Sequence, residues 1–247
     1  MELFSVRDKI IVITGSSKGI GKTLAIELSK LGAKVWIHGR EEELLKKLSD
    51  DIGCKYCVAD LNLDSDIEKM ASTILNSERQ IDVLINNAGF EKFLFIEDMD
   101  MELYDSIMNV CTRSHYYLTR LLLPHLKKSI SPSIINMSSI HQSIPVRGNS
   151  PYCMAKAAME MFTKVASLEF AKYHIKVNGI APGAIKTDMN SEVVEKFDFD
   201  SWIPLGRVGE TCDIVGGVVY LASSASSYVT GTTLFTDGGY SQNLLRY

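Results

Sequence analysis

Ile10-Ile11-Val12-Ile13-Thr14-Gly15-Ser16-Ser17-Lys18-Gly19-Ile20-Gly21 is the stretch that decides how this chain folds. A β-branched run predicts a strand buried on both faces, and the spacing from Ile20 to Leu31 predicts a helix after the glycine-rich turn. Glycines permit a tight turn and close backbone approach. The uncompensated N–H groups and positive dipole at the helix start suit a pyrophosphate. The spacing is G-x-x-x-G-x-G rather than the G-x-G-x-x-G dinucleotide fingerprint, and Gly21-Lys22-Thr23 resembles the end of a P-loop. A P-loop needs four residues between its glycines, whereas five separate Gly15 from Gly21. A tight turn with no ligand is the third reading.

Outward from this unit the pattern repeats. Further strands are predicted at Lys34–His38, Lys55–Val58, Val83–Asn86, Ser133–Met137, Lys176–Ile180 and Thr232–Thr236, after a first at Ile10–Thr14. Helical spacing follows at Asp64–Asn76, Leu103–Leu126, Tyr152–Tyr173 and Cys212–Leu221. Alternating strands and helices predict an α/β, Rossmann-type, doubly wound fold: a seven-stranded parallel sheet with helices on both faces and a crevice at the strands' carboxyl ends. Residues 184–202 lack a clear strand, carry a short helical pattern at Ser191–Phe197, and are expected to cover that crevice. No linker or repeat interrupts the sequence, so residues 1–247 are read as one domain.

Composition limits the function classes. The 247 residues are 46% hydrophobic and 23% charged with a net charge of −4, which fits a globular protein and offers no positive field for a nucleic acid. The amino-terminal MELFSVRDKI has no apolar leader core, and no apolar run reaches the roughly 20 residues needed to span a bilayer, so a cytoplasmic protein with no membrane partner is expected. The five cysteines form no disulfide framework, and Cys54-Lys55-Tyr56-Cys57 lacks the second ligand pair that zinc requires.

In dinucleotide folds an acid at the end of the second strand binds the ribose 2′-hydroxyl and repels a 2′-phosphate. Here the chain reads His38-Gly39-Arg40, with no acid before Glu41 and with Lys18 and Arg40 able to pair a phosphate. NADP(H) is therefore expected. The alternative is that Arg40 is a solvated loop charge and NAD is accepted.

Tyr152 and Lys156 stand at i and i+4 on one predicted helix face, so their polar ends can converge. A tyrosine that exchanges a proton with an alcohol or carbonyl must titrate below its ordinary value of about 10, which a neighbouring ammonium favours. A shift of about three units needs roughly 4 kcal/mol, which calls for the lysine, a positive nicotinamide and partial burial together.

At this point the sequence resembles the short-chain dehydrogenases/reductases. The resemblance rests on Thr14–Gly21, Asn86-Asn87-Ala88-Gly89, Ser139, Tyr152-x-x-x-Lys156 and Pro182-Gly183, in that order, and runs from about residue 8 to 239. It implies that Tyr152 is the general acid/base, that Lys156 lowers its pKa and holds the nicotinamide ribose, that Ser139 bonds the substrate oxygen, and that Asn109 holds a proton-relay water. It implies a cofactor site of Gly15, Ser17, Lys18, Gly19, Ile20, Gly21 and Arg40, with Asp60 and Leu61 beside adenine. Asn87, Ala88 and Gly89 would run along the adenosine side. Pro182, Gly183, Ile185 and Thr187 would lie around the nicotinamide and phosphate, with Tyr152 and Lys156 at the nicotinamide end. Asp60 has a second reading as the cap of its own turn. No metal is required by that chemistry, and a homotetramer built through the long helices and the last strand is implied.

Within the family, Ile135–Pro145, Glu91 and Tyr228–Gly239 resemble bacterial glucose 1-dehydrogenases, which makes Glu91 and His141 candidates to read substrate hydroxyls. The substrate expected is a small alcohol or carbonyl compound. A 3-oxoacyl-[acyl-carrier-protein] reductase is the main alternative; its acidic carrier would need a basic patch, for which Lys127, Lys128, Lys172 and Lys176 are candidates. A non-catalytic NADP(H)-binding regulator is the alternative of another class.

Overall fold

The computed structural model describes residues 2–187 and 198–243. The chain runs β1 (Ile10–Ile13), α1 (Gly19–Lys30), β2 (Lys34–Gly39), α2 (Glu42–Ile52), β3 (Lys55–Val58), α3 (Asp64–Ser77) and β4 (Val83–Asn86). There follow α4 (Met101–Met108), α5 (Ser114–Leu126), β5 (Ser133–Met137), α6 (Ser150–Phe170) and β6 (Lys176–Pro182). The last described elements are β7 (Ile185–Lys186), α7 (Phe199–Trp202), β8 (Gly209–Glu210), α8 (Val215–Ala222) and β9 (Thr233–Thr236).

Seven of these strands pair in parallel in the order β3-β2-β1-β4-β5-β6-β9. Winding runs outward from β1 on one side and from β4 on the other, so the crevice opens at the carboxyl ends of these two strands. The fold is the doubly wound sheet expected from the alternation.

Period-two side-chain direction explains why the strands read as unbroken apolar runs. Ile11 and Ile13 pack with Leu24 and Leu28 of α1 and Val218 and Leu221 of α8, while Val12 turns to the opposite layer with Ile67 and Ile74 of α3 and Leu118 and Leu122 of α5. All of these side chains are essentially inaccessible. Each such burial contributes roughly 1.5–3 kcal/mol, and the two layers together hold the strand ends in register around the crevice.

Three local features depart from expectation. The helix α2 was not anticipated, although Leu45, Leu48 and Ile52 have helical spacing, two glutamates open it and Gly53 closes it in the left-handed region. The single helix expected over Leu103–Leu126 is divided by a π turn at Asn109–Arg113, a widening that periodicity does not announce. Within residues 184–202, β7 pairs with β8 over two residues, too few to show alternation. The helical pattern at Ser191–Phe197 lies outside the described residues.

Candidate active site

The turn after β1 is fastened to both neighbouring strands. Thr14 Oγ1 accepts the backbone N–H groups of Asn87 and Ala88 at 2.9 and 3.0 Å, and the Asn87 amide donates to the carbonyls of Thr14 and Gly15 at 2.8 and 2.9 Å. On the β2 side, Ser16 N donates to the His38 carbonyl at 2.8 Å and His38 N to Ser16 Oγ at 2.8 Å. Gly21 is required by close approach: a β-carbon there would lie 2.3 Å from the Gly15 carbonyl oxygen. Lys18, the residue before α1, gives no side-chain cap, so the first-turn N–H groups of α1 face the crevice without one. Among the described residues a β-carbon on Gly19 would meet only Thr187, at 3.6 Å, and Gly19 has φ +54°. This open, donor-lined corner fits the pyrophosphate of a dinucleotide.

Further along the edge, Arg40 is exposed and Lys18 pairs with Glu41 at 2.7 Å. Asp60 Oδ1 accepts from Asn62 N at 2.9 Å and from the Asn62 amide at 3.0 Å, so its carboxylate caps its own turn, the second of its two readings. The Leu61 side chain is in the core. Asn87 likewise spends its amide on the turn.

At the other end of the crevice, α6 presents Tyr152 and Lys156. The lysine is buried, donates to the Met137 carbonyl at the end of β5 at 2.8 Å, and lies 5.3 Å from the Tyr152 ring centroid. A β-carbon on Gly89 would be 3.5 Å from Lys156 Nζ and 3.4 Å from Cys111 Sγ. The π turn thus brings Cys111 near the lysine, and Thr112 Oγ1 fastens the turn to α6 through the Ala155 carbonyl at 3.1 Å. Ser139 Oγ accepts from His141 N at 3.2 Å, and its hydroxyl stands close enough to the Tyr152 phenol to favour the ionised form. The neighbouring Ser138 turns away, to the Lys156 carbonyl.

The electrostatics of the protein's own groups oppose the expected phenolate. Burial, then the charges of Glu91 and Cys111, push the Tyr152 phenol above its ordinary value, against the smaller favourable bond from Ser139. Burial also holds the Lys156 ammonium below its ordinary value, with Cys111 and Glu91 acting in the other direction. Glu91 is fixed by the Asn149 amide, which donates to Oε2 at 2.6 Å. His141 Nδ1 is tied to the Ile144 carbonyl at 2.9 Å, and its ring meets Tyr152 edge-on at 6.4 Å between centroids. Both substrate candidates therefore lie at the tyrosine end. Pro182 ends β6, and Gly183 packs so closely on Asp237 that a β-carbon would reach its backbone at 2.8 Å. Ile185 is buried in the core layer next to α8.

The predicted residues therefore follow the carboxyl edge of the sheet, with the phosphate turn and Arg40 after β1 and β2, Asp60 and Leu61 after β3, Asn87–Gly89 and Ser139 after β4 and β5, and Pro182–Thr187 at and beyond the end of β6. Three strand spacings, roughly 14 Å, lie between β2 and β5, the span of an elongated ligand rather than a compact one. Thr14, His38, Asn149 and Cys111 were not singled out from the sequence as site residues. Cys54 and Cys57 have thiols pushed up to about 11 by burial, which disfavours the thiolates a metal would take.

Residues 15–241 match the family model described as enoyl-(acyl carrier protein) reductase. A short-chain type dehydrogenase/reductase from Mycobacterium marinum superposes with a TM-score of 0.90 at 30% identity, covering 97% of this chain and 98% of that one. The chain belongs to the short-chain dehydrogenase/reductase family. It is an oxidoreductase of CH–OH groups that uses NAD(P). Among its relatives in the family are the gluconate 5-dehydrogenase of Gluconobacter oxydans, 30% identical over 98% of each chain, and the 3-oxoacyl-[acyl-carrier-protein] reductase of Haemophilus influenzae, 37% identical over 95% of this chain and 98% of that one. A gluconate 5-dehydrogenase from Burkholderia cenocepacia in complex with NADP and tartrate superposes with a TM-score of 0.90 at 28% identity, covering 98% of both chains.

Proposed function

We propose that this family member is an NADP(H)-dependent oxidoreductase that interconverts a hydroxyl and a carbonyl on a small polyhydroxylated substrate, a sugar or sugar acid. The observation that carries this is the convergence of Tyr152, Ser139 and Lys156 at one end of a dinucleotide-length crevice. The bound nicotinamide supplies or accepts the hydride. Tyr152 is the general acid/base, with Ser139 holding the substrate oxygen beside its hydroxyl. Lys156 uses one of its three donors on Met137 and turns the rest to the ribose, and Asn109 holds the water that passes the proton on.

The 2′-phosphate is read by Arg40 and Lys18. The pair between Lys18 and Glu41 is no obstacle, since exposed ion pairs of this kind contribute only about 0–1 kcal/mol and a dianionic phosphate competes well for the ammonium. Asp60, Leu61 and Asn87–Gly89 form the floor of the adenosine side, and Pro182, Gly183, Ile185 and Thr187 lie around the nicotinamide and phosphate. Substrate hydroxyls find an acceptor in the Glu91 carboxylate, held in place by Asn149, and a partner in His141. Both the gluconate-type relatives and the resemblance to glucose 1-dehydrogenases support a polyhydroxylated substrate.

The reductase of acyl-carrier-protein thioesters is the second reading, favoured by the Haemophilus influenzae relative. The four lysines named for its basic patch stand away from the crevice. Lys127 and Lys128 follow α5 and Lys172 precedes β6, so they stand at the amino ends of the strands, and Lys176 is buried with Nζ bonded to the Leu221 and Ser223 carbonyls at 3.0 and 2.9 Å. We also propose a single domain in a cytoplasmic homotetramer. The exposed Met154, Met161, Val165 and Leu168 of α6 and Leu234 and Phe235 of β9 would be covered in it.

Following NADPH absorbance with sugar acids, aldohexoses and acetoacetyl thioesters tests the substrate class. Turnover of the thioester alone would replace the sugar reading with the second one, and NADPH binding without any turnover would support a regulator. Tyr152→Phe is expected to lower kcat by roughly a thousandfold while NADPH affinity stays within a few-fold. Near-normal turnover in that variant would remove Tyr152 from its role.

A further inference from the structure

The cofactor turn is locked by a histidine that belongs to no motif. His38, at the end of β2, is 3% exposed. The Gly15 N–H donates to His38 Nδ1 at 3.0 Å, and the other ring nitrogen, Nε2, lies 3.1 Å from the Ala59 carbonyl oxygen. A backbone N–H can only donate, so Nδ1 must be unprotonated. Nε2 then carries the proton and donates to Ala59, so the two partners fix one neutral tautomer. One imidazole thus ties the phosphate turn of β1 to the end of β3, where Asp60 and Leu61 open the adenosine side. The main chain of the same residue adds the two bonds to Ser16.

This arrangement has a geometric consequence for an anion. Gly15 has φ +63°, and its N–H is directed back into the sheet instead of into the crevice. With that donor held, the turn keeps the course that leaves the first-turn amides of α1 uncapped and facing outward. Without the acceptor, the half-buried Gly15 N–H would have to find another partner, and the turn would shift with it.

We propose that His38 is a positioning residue for the cofactor, holding the phosphate turn and the adenosine-side loop in binding geometry through its Nδ1 acceptor and Nε2–H donor. It touches neither the reacting atoms nor the nicotinamide end. This rests on the reading of the crevice as an NADP(H) site.

The test is equilibrium binding of NADPH and of the adenosine 2′,5′-bisphosphate fragment to the full-length protein and to three variants, read by intrinsic fluorescence. His38→Leu is expected to weaken both ligands by about tenfold, the factor carried by one lost buried hydrogen bond. His38→Asn places an amide oxygen where Nδ1 stands and is expected to bind within about threefold of the parent. His38→Gln reaches toward Ala59 but leaves the Gly15 N–H unpaired, so it should bind as poorly as His38→Leu. In turnover the loss should fall on KM for NADPH rather than on kcat. Equal affinity for all variants, or a glutamine that rescues as well as asparagine, would overturn the assignment. Should the leucine variant fail to fold, imidazole nitrogen NMR of the parent decides: the NADPH-bound protein must show His38 protonated at Nε2 only, and an Nδ1–H tautomer would overturn it. A parent that binds no NADPH would instead overturn the cofactor reading itself.

Discussion

Tyr152 and Lys156 are both pushed by burial toward their neutral forms, and the carboxylate of Glu91 is the largest charge acting against the phenolate. Removing that charge must ease ionisation of Tyr152. Glu91→Gln, which keeps a partner for Asn149, is therefore expected to move the rising limb of kcat/KM for alcohol oxidation to lower pH, by about half a unit to one unit. A pH profile that does not move would place Glu91 outside electrostatic reach of the phenol. The motif residues were legible in the sequence because their spacing carries the signal. Asn149 and His38 were not, since their roles depend on partners 58 and 23 positions away, Glu91 and Gly15.

At the scale of elements, the strand–turn–helix unit tolerates no side chain at Gly21. An added β-carbon would lie 2.3 Å from the Gly15 carbonyl oxygen, 2.6 Å from the Asn87 amide and 2.9 Å from Ser16 Cα, and two of these three are backbone. Gly21→Ala should cost about 1–3 kcal/mol by overpacking and should abolish measurable NADPH binding, since relief of the clash moves the turn that carries the anion site. Urea denaturation and fluorescence titration check the two effects; unchanged affinity would mean that the turn plays no part in holding the phosphates. The unit was readable because strands buried on both faces are long apolar runs. The sequence said less about α2, whose pattern is broken by charged residues, and nothing about the π turn, because one extra residue per turn leaves the apolar spacing almost unchanged.

For the whole molecule, the doubly wound parallel sheet follows from strand–helix alternation and right-handed crossovers, and this much could be anticipated without knowing a single contact, whereas the order β3-β2-β1-β4-β5-β6-β9 could not. What alternation leaves open is the cost of the polar groups enclosed between the layers. Two histidines are sealed there: burial pushes His38 down to about 4 and His115 down to about 3, and neither ring nitrogen of His115 has a hydrogen-bond partner among the described residues. Both ordinarily titrate near 6.5, so between that pH and 4 the unfolded chain takes up protons that the folded protein refuses. Their contribution to stability is complete above about pH 6.5 and is lost as the pH falls, by up to roughly 3 kcal/mol for each group at pH 4. Lys176 acts at the opposite end of the scale. Burial holds it at about 8, so the folded state releases its proton first and stability from this group grows between pH 8 and its ordinary 10.5. Urea midpoints should therefore fall steeply from pH 6.5 to 4. His115→Leu, which exchanges two unpaired ring nitrogens for apolar contact, should be at least as stable as the parent at pH 7 and lose part of the acid slope. A parent whose midpoint is flat over that range would mean that both imidazoles take up their protons in the folded state as readily as in the unfolded chain.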